Sequence, residues 1–333
     1  MSGAAVSSEV LDSRLPQRVL ITGAAGFIGS SLAIHLLKRG IVVIGIDSFA
    51  SNYDEKYKRK NLEDARAHDG FVFFEADIRE SAVLRGLLAD WRPTCIVHLA
   101  ALGNVRRSVD AAEDYVSVNV SGTTSVLQAA IDERVEQVFL ASTSSVYGQV
   151  TRQVMSETDP TDRPLAPYPA SKKACEVIAY SFHSAHGINV AIGRFFNAYG
   201  PRGRPDMMPW RVLESLVEGR RIPVFGDGSI ARDWTYIDDV IDGIVGALAW
   251  NPHYEIVNLG RGEPVTLNAF IEHLSELTGC RPLVENVRMP PTEPLRTCAD
   301  VTKAARMFGY RPTVHLREGL ARFREWWEKE ATP

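Results

Sequence analysis

The chain has 333 residues, 45% apolar and 23% charged, the balance of a globular protein with a sizeable core and about two domains. Its formal net charge of −4 excludes the concentrated positive field that nucleic acid or an anionic membrane surface requires, so a small-molecule ligand is expected. No run of about 18 apolar residues occurs, which excludes a membrane-spanning helix; the scattered Cys95, Cys175, Cys280 and Cys298 form no C-x-x-C pair, suggest neither zinc nor a disulfide framework, and fit a reducing cytoplasm.

Residues 1–16, rich in Ser and Ala and without a continuous apolar run, read as a disordered leader and not as a signal peptide. From Arg18 short apolar runs alternate with amphipathic stretches of helical length, which predicts repeated βα units in a doubly wound α/β fold with a parallel sheet. The runs are Val19 to Thr22, Ile41 to Ile46, Phe71 to Glu75, Cys95 to Leu99, Val138 to Ala141 and Asn189 to Arg194. Each is almost uninterrupted, as expected where helices cover both faces of a strand. Helices are predicted at 27–38, 81–90, 113–133 and 169–186. After residue 200 Pro and Gly punctuate shorter elements from Pro201 to Asp233; helices then return at 237–250, 267–278 and 316–329, with a strand at Glu255 to Asn258. The expected division is 17–200 as a dinucleotide-binding domain and 201–333 as a smaller, partly interleaved lobe.

The first strand runs into Thr22-Gly23-Ala24-Ala25-Gly26-Phe27-Ile28-Gly29, three glycines at G-x-x-G-x-x-G spacing ahead of a helix. Glycine there permits positive φ and a close approach of backbone to a pyrophosphate, whose charge the helix N-terminus then meets. The second strand ends at Asp47, about 20 residues on, where a carboxylate accepts from an adenosine ribose hydroxyl and repels a 2′-phosphate; this favours NAD over NADP. Lys56, Lys58 and Arg59 lie downstream. Asp77 and Ile78 after the third strand are placed at the adenine, and Leu99, Ala100 and Ala101 after the fourth beside the cofactor.

Tyr168 and Lys172 stand at i and i+4 on one helical face, where a lysine favours the phenolate and so lowers the tyrosine towards general-base work. The pair gains weight from Ser142-Thr143-Ser144-Ser145-Val146-Tyr147-Gly148, a hydroxyl cluster at a strand end, where ligands of doubly wound sheets collect. With His98-Leu99-Ala100-Ala101 and Arg194-Phe195-Phe196-Asn197-Ala198-Tyr199-Gly200-Pro201, these motifs give residues 17–329 a resemblance to the extended short-chain dehydrogenases of the nucleotide-sugar epimerase and dehydratase family.

That resemblance implies a Rossmann-type domain with a smaller α/β substrate lobe, NAD as cofactor, with Asn119 among the residues around it, and a catalytic trio of Thr143, Tyr168 and Lys172. It implies a UDP-sugar partner and a homodimer joined through the helices at 113–133 and 169–186. Family dehydratases carry Asp-Glu just after the catalytic Thr, and the decarboxylases a Glu close by; this chain has Ser144-Ser145. The resemblance therefore implies 4-epimerisation, in which Tyr168 takes the 4-OH proton, NAD takes the C4 hydride, and the 4-keto sugar turns over before hydride returns.

For substrate, the resemblance assigns the diphosphate to Asn197, to the strand containing Val224 and Phe225, and to Arg232, with Arg296 as a weaker second clamp because Thr292-Glu293-Pro294 replaces the usual Gly-Asp. An arginine suits a diphosphate through two parallel charge-assisted bonds; a local acid, Asp233, Asp238 or Asp239, is the competing partner for Arg232. Gly203-Arg204-Pro205-Asp206-Met207 and Asn52-Tyr53-Asp54 are similar to UDP-glucuronate 4-epimerases, and Thr143, Ser144, Ser145 and Arg204 would hold a uronate carboxylate. Asn197 stands where those enzymes generally have Thr, and Ala101 to Ser108 resembles epimerases of N-acetylhexosamine nucleotides, so the sugar stays open among uronate, hexose and N-acetylhexosamine. A dehydratase or decarboxylase and a non-catalytic NAD-binding scaffold are the other readings. His183 and His186 at i and i+3 lack a third ligand, and no metal site is expected.

Overall fold

Uninterrupted apolar runs become inner strands because helices cover both faces of their sheet. The computed structural model describes residues 13–50, 53–150 and 152–330. The first twelve residues of the expected leader, and Asn52, lie outside the described residues; Leu15, within the predicted leader, is buried in the core. Strands β1 (Arg18–Thr22), β2 (Val42–Asp47), β3 (Phe71–Glu75), β4 (Cys95–His98), β5 (Gln137–Thr143) and β6 (Asn189–Phe195) lie parallel in one sheet. Along β1, Val19 and Ile21 enter the core on one face and Leu20 the core on the other.

The second half adds β7 (Asn197–Tyr199), β8 (Arg221–Phe225), β9 (Ala231–Tyr236), β10 (Tyr254–Leu259), β11 (Pro264–Thr266) and β12 (Leu283–Val287). Strand β10 pairs with β6 and completes a seven-stranded sheet of order β10-β6-β5-β4-β1-β2-β3. The order reverses between β1 and β4, and ligands of such sheets bind outside the carboxyl ends at that switch. The remaining strands form two small sheets, β11-β9-β7 and β12-β8, beyond those ends.

Two elements differ from expectation. The predicted helix at 113–133 is three pieces, with a π-helical turn at Val116–Ser121 between Ala112–Tyr115 and Gly122–Asp132. The stretch read as short elements holds a helix, Met208–Val217, whose Pro209 sits in the first turn, where a missing N–H is harmless.

Candidate active site

The helix Phe27–Leu37 starts at Gly26 with no side-chain cap and no acid in its first turn, so its N-terminal amides are free to meet an anion. Gly23 has φ +73°, and a Cβ added there would stand 2.8 Å from the Ala100 nitrogen; one added at Gly29 would collide with the Gly23 carbonyl oxygen. The loop is therefore a cradle of bare backbone at the switch point, the form a dinucleotide pyrophosphate needs. Gly23, Gly26, Phe27, Ile28, Gly29, Asp47, Asp77, Ile78, Leu99, Ala100 and Ala101 all line one cavity of about 380 Å³.

Asp47 accepts from the Ala25 nitrogen at 3.1 Å and the Phe49 nitrogen at 2.9 Å, with Lys58 Nζ at 4.0 Å. Burial pushes its carboxyl above the ordinary value, against the opposing Lys58 charge and both amides. Lys58 and Tyr53 also line the cavity, and the Lys58 ammonium lies 5.0 Å from the Tyr53 ring. Asp77 is held below its ordinary value by its paired hydrogen bonds from Arg79, at 3.0 and 2.6 Å.

At the other end of the same cavity stand Thr143, Ser144, Ser145, Tyr168, Lys172 and Arg204. Thr143 ends β5, its hydroxyl accepts from the Ser145 nitrogen at 3.1 Å, and its side chain acts on the Tyr168 phenol to favour the phenolate. Tyr168 and Lys172 follow on the helix Pro167–His186. The expected lowering of the phenol by Lys172 is not found. Burial pushes Tyr168 above its ordinary value, and it is Thr143 and Arg204 that oppose the rise; burial also lowers Lys172. A phenolate is costly in this setting unless a cation faces it directly.

His98 bridges Thr22 Oγ1 at 2.7 Å and Thr123 Oγ1 at 3.0 Å and is wholly buried, which gives it a positional task. Asn119 does not reach the cavity wall. Its buried amide joins the Leu102 backbone, at 2.8 and 3.1 Å, to Ser171 Oγ at 2.9 Å, holding the loop after β4 against the Tyr168 helix. The π-helical turn carrying it is a common device beside functional sites.

A second cavity of about 500 Å³ shares Gly103, Val105, Ser144, Ser145, Asn197 and Met207 with the first, so the two form one cleft. Among its described lining residues are six arginines, Arg106, Arg107, Arg211, Arg220, Arg221 and Arg232, against Asp206, Glu214 and Glu293. Phe225 lines this cavity and lies under the Arg106 guanidinium at 4.8 Å, whereas Val224 points the other way into the core. Strand alternation makes only one of two neighbours available. Arg296 lines neither cavity and donates to the Gln153 carbonyl at 3.3 Å.

Arg232 pairs with none of the nearby acids weighed from sequence; its partner is Glu293 at 2.8 Å, which also lies 3.4 Å from Arg106. Asp233 is turned away to accept from the backbone of Arg261, Gly262 and Ala299, each at 2.8 Å. Arg204 is paired with Asp206 through two bonds of 2.9 and 2.6 Å. The arginines beyond Arg204 and Arg232 escaped the sequence reading. Arg211 stands alone, and the other four form two doublets, Arg106-Arg107 and Arg220-Arg221, which the fold alone brings to one wall.

Known proteins share this architecture. The chain is 37% identical over 309 residues to UDP-glucuronate 4-epimerase of Thermodesulfobacterium geofontis, covering 92% of this chain and 95% of that one. UDP-glucuronic acid 4-epimerase from Bacillus cereus, solved with UDP-glucuronic acid and NAD, superposes with a TM-score of 0.89 at 34% identity, over 94% of this chain and 99% of that one. A dTDP-glucose 4,6-dehydratase from Streptomyces venezuelae, solved with NAD, reaches 0.87 at 33% identity over 94% and 97%. The NAD dependent epimerase/dehydratase family profile matches residues 19–260, and with the glycine cradle and the Thr143, Tyr168 and Lys172 cluster already in place, this chain belongs to that NAD-dependent family.

Proposed function

We propose that the chain is an NAD-dependent UDP-sugar 4-epimerase that interconverts UDP-glucuronate and UDP-galacturonate. The observation that carries this is the convergence of Thr143, Tyr168 and Lys172 at a cavity end with no free carboxylate. Among the described lining residues of that cavity the acids are Asp47 and Asp77, at the ends of β2 and β3, while Thr143 ends β5 on the other side of β4 and β1. Asp206, in the adjoining cavity, is taken up by Arg204. A dehydratase or decarboxylase needs a further acid at the sugar; reversible oxidation at C4 does not. Overall fold similarity cannot make this choice, since epimerase and dehydratase superpose almost equally well.

NAD, held by the glycine cradle and Asp47, would supply the hydride acceptor and donor for C4. Tyr168 takes the 4-hydroxyl proton, and Thr143 holds the same oxygen through its hydroxyl. Arg204 supplies positive charge to the phenolate, and Lys172, one turn along the same helix, would hold the cofactor. Ser144, Ser145 and Arg204 offer donors to the carboxylate of a hexuronate, and the arginine-lined second cavity takes the diphosphate. The names of the relatives favour the uronate over hexose or N-acetylhexosamine substrates.

A second copy of the chain completes the assembly in this reading. Val177 and Tyr180 stand exposed at i and i+3 on the helix Pro167–His186, and Val116 is exposed on the π-helical turn packed against it.

The test is a panel of UDP-glucuronate, UDP-glucose, UDP-N-acetylglucosamine and dTDP-glucose, with epimers separated after incubation and cofactor identified after denaturation. UDP-galacturonate should appear from UDP-glucuronate without loss of water or CO2. In Tyr168→Phe turnover should fall by about three orders of magnitude with NAD retained, the scale expected of a lost acid–base group. A near-normal rate, or release of CO2, overturns the reading.

A further inference from the structure

Tyr168, Lys172 and Glu176 occupy successive turns of one face of the helix Pro167–His186. Glu176 is 1% exposed, and four hydrogen bonds converge on its carboxylate. Oε1 accepts from Ser142 Oγ at 2.6 Å and Arg194 Nε at 2.9 Å; Oε2 accepts from Arg194 Nη2 at 2.8 Å and Lys173 Nζ at 3.2 Å. Ser142 immediately precedes Thr143, and Arg194 is its register partner on β6. The network continues from Arg194 to the Tyr147 hydroxyl at 3.0 Å and from there to Asn258 of β10 at 2.7 Å. One carboxylate thus joins β5, β6 and the helix at the level of the reacting groups.

A buried ion pair is weak evidence of stabilisation, because apolar side chains of equal volume hold a core as well or better. Its placement is more informative. We propose that Glu176 is a positioning residue for the reaction: it ties Ser142, and with it Thr143, to the helix carrying Tyr168 and Lys172, and sets a negative charge one turn from the Lys172 ammonium. This rests on the assignment of Thr143, Tyr168 and Lys172 made above.

The electrostatics agree. Burial lowers Lys172, and Cys175 and Glu176 are the groups that oppose the fall. Burial acts to raise Glu176, but Arg194, Ser142 and Lys173 outweigh it and hold the carboxyl below its ordinary value. Lys172 is faced by Cys175 and Glu176 from its own helix and by His98 from β4. Tyr168 is faced by Thr143 from β5, by Tyr115 and by Arg204. Glu176 is faced by Lys173, by Arg194 and by Tyr254 of β10. Glu176 supplies the full negative charge next to Lys172, so its loss lets the lysine give up its proton at lower pH.

The experiment is the pH profile of UDP-glucuronate turnover by the holoenzyme carrying Glu176→Gln together with Arg194→Gln. This pair keeps donors and acceptors and removes both charges of the ion pair together, leaving Lys172 without its neighbouring carboxylate. The expected result is a roughly tenfold fall in kcat, KM within about twofold, and an alkaline limb moved to lower pH, because of the two charges removed it is Glu176 that acts on Lys172. Ser142→Ala keeps the ion pair and cuts the tie to β5, so kcat should fall about threefold with the limb unmoved. A double-variant profile that superposes on the parent, with only the melting temperature reduced, makes the pair purely structural and overturns the proposal. If the double variant does not fold, Ser142→Ala decides: an unaltered kcat overturns it. Failure of the underlying assignment looks different, because Tyr168→Phe would then retain turnover.

Discussion

His98 shows how a single buried residue acquires a pH signature. Burial, helped by the Lys172 charge, lowers its imidazole from 6.5 to about 3. The unfolded chain therefore binds a proton below pH 6.5 that the folded chain refuses. The stability contributed by the neutral ring is complete above that pH and is lost as pH falls towards 3, at about 1.4 kcal/mol per unit, or roughly 2–3 kcal/mol by pH 4.5. His98→Gln, whose amide can still serve Thr22 and Thr123, should flatten this part of the decline; melting curves at pH 6.5 and 4.5 measure it, and equal losses in both proteins would exclude the histidine as the cause. The sequence placed His98 in an apolar run, and it closes β4, because strand ends are legible from such runs. It said nothing of neutrality, which depends on burial and on Lys172 arriving from a distant helix. The same limit explains Arg232, whose partner Glu293 is 61 positions away.

At the scale of elements, ends were more legible than interiors. Pro167 and Gly187 bracket the Tyr168 helix, the first free of cost at a helix start and the second in the left-handed conformation, φ +74°, that closes one. The π-helical turn at Val116–Ser121 left no mark, because an extra residue per turn is set by what the backbone must reach. Within it the Asn119 carbonyl accepts from Cys175 Sγ at 3.2 Å. The outer face of these two elements carries Val116, Val177 and Tyr180 at 54, 57 and 56% exposure, beside an inner face committed to the site. Covering three such side chains favours association by about 25 cal/mol per Å². Val177→Glu with Tyr180→Glu should yield a monomer in light scattering where the parent is dimeric; a parent that is itself monomeric, or a variant that still dimerises, removes this face as the interface.

Across the whole molecule, a net charge of −4 conceals a cleft wall with twice as many arginines as acids. The overall balance excluded a polyanion partner and was silent on this local excess, since charge distribution is a property of the fold. Glu293 spans the cleft, joining Arg106 of the loop after β4 to Arg232 of β9. Both arginines line the cavity proposed for the diphosphate, and the proposal gives them different worth to binding. The Arg232 side chain is 10% exposed and that of Arg106 54%. A charge shielded from water keeps its interaction with an anion, whereas one at the rim shares it with solvent and salt. Arg232→Ala should weaken UDP binding by about 2 kcal/mol, roughly thirtyfold, and Arg106→Ala by less than about 1 kcal/mol, an effect that vanishes first as salt is raised. Calorimetric titration with UDP at low and high ionic strength measures both. If the exposed Arg106 proves the stronger, the diphosphate lies nearer the mouth of the cleft than the buried arginine implies, and the sugar cannot then reach Tyr168.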